Sequence, residues 1–157
     1  MPDILDIAAN AREGEVSLDE IVRFLSRELG PSADDEPDIR RAVDYALSRV
    51  PGKGGFVMTA REGGELVGAL VVNDTGMSGY IPDHVIVYVA VDNPENLIRP
   101  GMIARGRGIG SRLLRQAIER CEGDVKLHVS YGNPARRLYE RLGFSSTYAE
   151  MRLIRRP

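Results

Sequence analysis

The run from Val85 to Val91 constrains the fold more than any other feature of this chain, because every side chain in it is apolar or aromatic. A strand with one face in water alternates apolar and polar residues, whereas a strand covered on both faces is apolar throughout. We therefore predict that this run is the central strand of a sheet that is covered on both faces.

The first part of the chain has two helical patterns. Ser17 can cap a helix whose apolar residues recur with helical spacing up to Leu29, where Gly30-Pro31 ends it. A second pattern runs from Ile39 to Val50 and stops at Pro51-Gly52. The sequence thus predicts a helical N-terminal segment.

Strand and helix patterns then follow one another to the end of the chain. The apolar stretches 56–60 and 66–72 flank Gly63-Gly64 and predict a β-hairpin. Beyond the central run, we predict a helix from Ile109 to Cys121, with Cys121 in the core, then a strand around 125–129 and a helix over 135–142. The tail 144–154 is predicted to form one or two final strands.

Composition restricts the class of protein. At 157 residues, with 43% hydrophobic and 28% charged residues, the chain fits one folded domain. A net charge of −2 argues against nucleic acid as the principal ligand, since many phosphate contacts need a concentrated basic surface. No apolar run approaches the length of a membrane span, a single cysteine allows no internal disulfide, and the polar start differs from a signal peptide. We therefore expect a cytoplasmic protein that binds no membrane.

The segment Arg105-Gly106-Arg107-Gly108-Ile109-Gly110 lies where a strand leads to a helix. Backbone N–H groups and the helix dipole converge at such a turn and can bind phosphate. Glycine also serves plain turns, so this cluster alone does not establish a site. A P-loop would need Gly-Lys-Ser/Thr, which is absent, and a dinucleotide fingerprint would need Gly or Ala where Ser111 stands.

Two ordered motifs resemble those of the GCN5-related N-acetyltransferase (GNAT) family. Arg105, Gly108 and Gly110 match the signature Arg/Gln-x-x-Gly-x-Gly/Ala. The segment 133–144 is similar to the late helix of that family, typified by Ala-x-x-Leu-Tyr-x-x-x-Gly-Phe. The resemblance extends from about residue 55 to 144. The helical opening departs from the usual first strand, and the segment 92–104 looks like an insertion, which we predict to be mobile without ligand.

The resemblance implies an α/β (α+β) fold with a mixed, mostly antiparallel central sheet flanked by helices. It implies one acyltransferase domain, with residues 1–53 as a helical acceptor-side segment and residues 54–157 as the acyl-CoA-binding core. The expected reaction is transfer of an acetyl group from acetyl-CoA, without a metal, to a primary amine of a small molecule, peptide or protein. A noncatalytic acyl-CoA sensor is the alternative, and a homodimer is allowed because the sequence does not determine the oligomeric state.

The resemblance also implies roles for individual residues. Tyr139 matches the general acid of the family, although its place on an apolar helical face also suits a packed tyrosine with a hydrogen-bonded hydroxyl. The general base is not assigned; Asp83, His84, Asp92 and Glu150 lie near expected strand ends, and His128 has no assigned role. The donor-binding residues implied by the resemblance are Val89, Ala90, Val91, Arg105, Gly106, Arg107, Gly108, Ile109, Gly110, Ser111 and Asn133.

Overall fold

The structure is a computed structural model that describes residues 3–8 as backbone and residues 17–30, 34–92 and 108–155 in full. It is a mixed α/β fold with five strands and four helices in the described part of the chain. In chain order these are β1 Asp3–Ala8, α1 Leu18–Leu29, α2 Glu36–Leu47, β2 Gly55–Glu62, β3 Glu65–Asp74, β4 His84–Val91, α3 Ile109–Arg120, β5 Val125–Leu127 and α4 Ala135–Arg141.

The strands form one sheet in the order β1-β2-β3-β4-β5. Neighbouring strands are antiparallel except β4 and β5, which are parallel. This confirms the predicted mixed, mostly antiparallel sheet. The middle strand is β3 and not β4, so the prediction for the run 85–91 was wrong in this respect. β3 is buried at six successive positions from Val67 to Val72, which places it under both helical layers.

Each face of the sheet has its own apolar core. On one face, α1 and α2 pack against side chains of β2, β3 and β4 such as Val57, Val71 and Ala90. On the other face, α3 and Tyr139 of α4 pack against side chains of the same strands, including Met58, Leu70 and Val91. Alternation of side chains along each strand thus divides the core into two layers.

Local signals placed most helix ends and the hairpin correctly. The Ser17 hydroxyl accepts a hydrogen bond from the Glu20 N–H at 3.3 Å and caps α1 as predicted. Gly63 and Gly64 have φ values of 60° and 83°, as the tight turn between β2 and β3 requires. Val50 lies outside α2 and is 58% exposed, because α2 ends at Leu47.

Two predictions near the ends of the chain were wrong. β1 precedes the helices and pairs antiparallel with β2, from Asp3 opposite Arg61 to Ala8 opposite Phe56, so the expected departure from the usual first strand does not occur. The residues from Ser145 to Arg155 form no strand, and Tyr148, Met151 and Leu153 are all largely exposed. Apolar alternation in that tail is not matched by a strand partner in the described part of the chain.

None of the described helices has the length and apolar content that crossing a bilayer requires.

Cys121 is only partly buried, at the margin of the core on the α3 face, and not fully inside it as expected.

Candidate active site

The site is built around the point where β4 and β5 part. β4 pairs with β5 only through His84, Val85 and Ile86, although β4 continues to Val91. A bulge coincides with this point, since Val71 of β3 lies opposite Tyr88 and Val72 lies opposite Ile86, which leaves Val87 as the extra residue. Beyond the bulge, β4 has a strand partner on one edge only in the described part of the chain.

The residues predicted to bind the donor on β4 lie in this half-open stretch. Val89, Ala90 and Val91 pair through their backbones with Leu70, Ala69 and Gly68 of β3. Ala90 faces the α1 and α2 layer, whereas Val89 and Val91 face the α3 layer. The side chains are therefore used in packing, and the free edge offers backbone groups.

α3 begins beside the end of β4. A Cβ atom at Gly68, the partner of Val91, would lie 3.0 Å from Ile109 Cγ2, so the first turn of α3 packs directly on β3 next to that pair. Gly108 caps the helix with a φ of 71°, a left-handed conformation that favours glycine, and a Cβ atom there would meet no other described residue within 4 Å beyond its neighbours along the chain. The start of α3 thus presents backbone N–H groups that have no partner within the helix, next to the half-open strand.

The residues of the glycine-rich turn differ in what they can offer. Ile109 is fully buried, so only its backbone is available to a ligand. Gly110 is buried in the first turn, and the Ser111 hydroxyl accepts a hydrogen bond from Arg115 Nε at 3.3 Å. Arg105, Gly106, Arg107 and almost all of the segment 92–104 lie outside the described residues.

Tyr139 lies in the core layer below α3 and is 8% exposed. Its ring meets that of Phe144 edge to face, with centroids 6.1 Å apart. Its hydroxyl forms no hydrogen bond with another described residue, so the alternative of a packed tyrosine with a hydrogen-bonded hydroxyl lacks its partner here. Burial raises the pKa of Tyr139 to about 12. The hydroxyl therefore keeps its proton at neutral pH, as a general acid must.

Asn133 stands just before α4. Its side-chain oxygen accepts a hydrogen bond from the Ala135 N–H at 2.9 Å, which fixes the entry to the helix. Its side-chain NH₂ keeps its two donors for other partners. The predicted contact between Asn133 and the donor stays a prediction.

Two of the four candidate bases have structural partners at the opposite end of β4. His84 Nδ1 lies 2.7 Å from Asp74 Oδ1, and Nε2 lies 2.6 Å from the Glu122 carbonyl oxygen. Asp83 accepts a hydrogen bond from the Asp124 N–H at 3.0 Å. A hydrogen bond from Ser78, followed by that N–H, lowers the pKa of Asp83. These contacts tie β4 to β3 and to the connection between α3 and β5.

One polar pair near the parting of the strands was not singled out from the sequence. The Tyr88 hydroxyl, on the α1 and α2 side of β4, donates a 2.5 Å hydrogen bond to Asp34 Oδ2 just before α2. Burial and then this hydrogen bond raise the pKa of Tyr88 well above its usual range. In the sequence, the feature that could have indicated this pair is the single tyrosine in the otherwise aliphatic run from Val85 to Val91.

No group of three or more His, Cys, Asp or Glu side chains that could hold a metal ion occurs among the residues described.

The fold resembles those of solved acetyltransferases. A GNAT-family acetyltransferase from Streptococcus pneumoniae is 16% identical with a TM-score of 0.66, covering 99% of this chain and 100% of that one. A ribosomal-protein-alanine N-acetyltransferase from Brucella melitensis is 18% identical with a TM-score of 0.58, covering 98% and 99%. An aminoglycoside acetyltransferase from an uncultured soil metagenomic sample is 19% identical with a TM-score of 0.62, covering 98% of both chains.

These likenesses concern the fold, and no curated protein sequence matches the chain significantly. The sequence itself carries the family assignment, because the model of the acetyltransferase (GNAT) family matches residues 18–144. That range includes both core layers, the parting of β4 and β5, and both sequence motifs. The chain therefore belongs to the GNAT acetyltransferase family.

Proposed function

We propose that this protein transfers an acetyl group from acetyl-CoA directly to a primary amine of a small molecule, peptide or protein. The observation that carries the proposal is the parting of β4 from β5 beside the start of α3. It combines a free strand edge with a helix N-terminus, and acetyl-CoA has an extended pantetheine arm that ends in phosphates.

The donor would be bound mainly by backbone groups. The free edge from Val89 to Val91 can pair with the amides of pantetheine as an added strand would. The N–H groups of Gly108, Ile109, Gly110 and Ser111 suit the pyrophosphate at the start of α3. Arg105 and Arg107 would add charge-assisted contacts.

The chemistry needs one bond to form and one to break. The neutral amine nitrogen attacks the thioester carbon, and a backbone N–H of the open β4 edge stabilises the developing oxyanion. As the C–S bond breaks, the Tyr139 hydroxyl gives its proton to the departing sulfur. The proton lost by the amine goes to a base that is not assigned; His84 and Asp83, with their partners at the far end of β4, do not suit this role.

The names of two structural neighbours also indicate amine acceptors, an alanine of a ribosomal protein and an aminoglycoside. Those names describe the neighbours. They support a primary amine as the acceptor class here without selecting one amine.

The test is to measure acetyl-CoA binding by calorimetry, and turnover against a panel of amines, peptides and proteins with mass detection. We expect binding, and a mass increase corresponding to one acetyl group on at least one amine. Tight binding without turnover of any panel member would favour the noncatalytic acyl-CoA sensor. Absence of acetyl-CoA binding would contradict both functions.

A further inference from the structure

The hydrogen bond between Tyr88 and Asp34 places a carboxylate beside the half-open part of β4. Tyr88 follows the bulge directly, so its backbone begins the stretch that has lost β5 as a neighbour. Its side chain leaves the strand on the face opposite Tyr139, toward the layer of α1 and α2. The layer on one face of the sheet thus contains a buried phenol, and the layer on the other face contains a phenol joined to a carboxylate.

Asp34 is available to a ligand. It is exposed, and the Tyr88 hydroxyl bonds to only one of its two carboxylate oxygens. Among the described residues, no Lys or Arg forms an ion pair with it. A carboxylate has about four lone-pair sites, so most of its capacity to accept hydrogen bonds is unused.

Tyr88 determines where this carboxylate lies. Its ring is half-buried against the α1 and α2 layer, and its raised pKa keeps the hydroxyl protonated and donating. An exposed aspartate on a connection would otherwise sample several rotamers. The hydrogen bond therefore holds a negative charge at a defined distance from the β4 backbone, one tyrosine side chain away.

The distance between the Asp34 carboxylate and the β4 backbone determines which part of an acceptor the carboxylate can bind. A carboxylate in contact with the reacting nitrogen would favour its ammonium form, which has no lone pair for attack. A carboxylate set back from the strand edge by a tyrosine side chain can bind a different positive group of the same molecule. Charge-assisted hydrogen bonds to such a group are stronger than neutral ones.

We propose that Asp34, positioned by Tyr88, binds a second cationic group of the acceptor, so that the preferred substrates are amines with an additional positive charge. This inference rests on the proposed function. It adds the class of acceptor and assigns a specificity role to Asp34 and a positioning role to Tyr88.

The experiment uses three primary amines of similar length: 1,4-diaminobutane, 4-aminobutan-1-ol and 4-aminobutanoate. Their binding to the CoA-saturated protein is measured by calorimetry for the wild type, Asp34→Asn, Tyr88→Phe and Asp44→Asn. Asp44 is an exposed residue of α2, the helix that follows Asp34, so its substitution removes the same charge nearby and serves as a matched control. Acetyl-CoA affinity and melting temperature are measured for all four proteins.

We expect the wild type to bind the diamine most tightly, and Asp34→Asn to weaken that binding about tenfold, the range for a hydrogen bond to a charged group. Tyr88→Phe should weaken it less but also reduce the preference for the diamine. Asp44→Asn should resemble the wild type.

Equal affinities for the three amines in the wild type, no binding of any of them, or equal effects of Asp34→Asn and Asp44→Asn would overturn the inference. Each of these results leaves the proposed function intact if acetyl-CoA still binds. Loss of acetyl-CoA binding in the wild type would instead contradict the proposed function itself.

Discussion

Gly68 of β3 lies directly beneath Ile109, the first residue of α3, and a Cβ atom at position 68 would also lie 2.9 Å from Leu113 Cδ1. The absence of a side chain on the strand thus determines how closely the helix approaches. Because the start of α3 is the proposed pyrophosphate site, this contact links packing in the sheet to binding of the donor.

Replacing Gly68 with Ala should therefore affect both stability and donor binding. We expect a loss of about 1–3 kcal/mol in the free energy of unfolding, as for overpacked cores, and weaker CoA binding because the first turn of α3 moves. Urea unfolding and calorimetry measure the two effects. Gly132→Ala is the control, since a Cβ atom there meets nothing within 4 Å and φ is ordinary. Normal CoA affinity in a destabilised Gly68→Ala protein would show that the start of α3 does not contribute to donor binding.

Replacing Gly108 with Val should severely weaken CoA binding. The β-branched side chain disfavours the left-handed conformation at φ 71° and would stand in the path of the pyrophosphate. Apart from its neighbours along the chain, no described residue has an atom within 4 Å of the new Cβ, so the variant should still fold. Calorimetry on the folded variant checks this, and an unchanged CoA affinity would falsify the assignment of the phosphate turn.

Replacing Tyr139 with Phe should lower kcat about 10²-fold while CoA affinity changes little, because the ring stays and only the acid is lost. Stability should also change little, since the hydroxyl has no hydrogen bond to another described residue. Steady-state kinetics and thermal melting are the measurements. Tyr131→Phe, at a residue that is 87% exposed, is the control. A normal kcat in Tyr139→Phe would show that Tyr139 is a packing residue and not the general acid.

Replacing His84 with Ala should reduce stability and not catalysis. Both ring nitrogens face acceptors, so the side chain joins Asp74 to the Glu122 carbonyl, and its loss should cost about 1–3 kcal/mol. Denaturant unfolding measures this, and His128→Ala, at an exposed histidine, should stay within about 0.5 kcal/mol of wild type. A large fall in kcat without a loss of stability would restore His84 as a candidate base.

The single cysteine should give a pH signature. Burial, followed by the charge of Asp74, raises the pKa of Cys121 to about 11. The folded state then holds the thiol proton more tightly than the unfolded state, so its contribution to stability is present below the unfolded pKa and is lost between about pH 9 and pH 11. The difference in unfolding free energy between wild type and Cys121→Ala should fall over this range. A constant difference would show that the thiol ionises equally easily in both states.

The sequence predicted most of the fold because its local signals agree with the tertiary structure. Ser17, Gly30 and the pair Gly63-Gly64 mark element ends by their backbone chemistry, which needs no knowledge of distant residues. Apolar periodicity predicted the four helices and the strands around Met58, Leu70 and Val89 for the same reason.

What the sequence did not predict depends on partners far along the chain. β1 is short, and its pairing with β2 joins residues that are separated along the chain by two helices. The tail around Met151 alternates like a strand but has no strand beside it among the described residues. β3 is the middle strand because of the order of the strands in the sheet. The apolar content of a strand does not by itself predict that order. The link between Tyr88 and Asp34 joins residues 54 positions apart, and neither belongs to a family motif.

The two apolar cores on opposite faces of the sheet have an evolutionary consequence. Core residues of α3, such as Leu113, and core residues of α1, such as Phe24, belong to separate clusters with the strands between them. Substitutions in one layer should then have little effect on the packing of the other, because changes at distant sites contribute additively to the free energy of unfolding. A lineage can therefore change the α1 and α2 side, where we propose that the acceptor binds, while the α3 side and the proposed donor site stay unchanged.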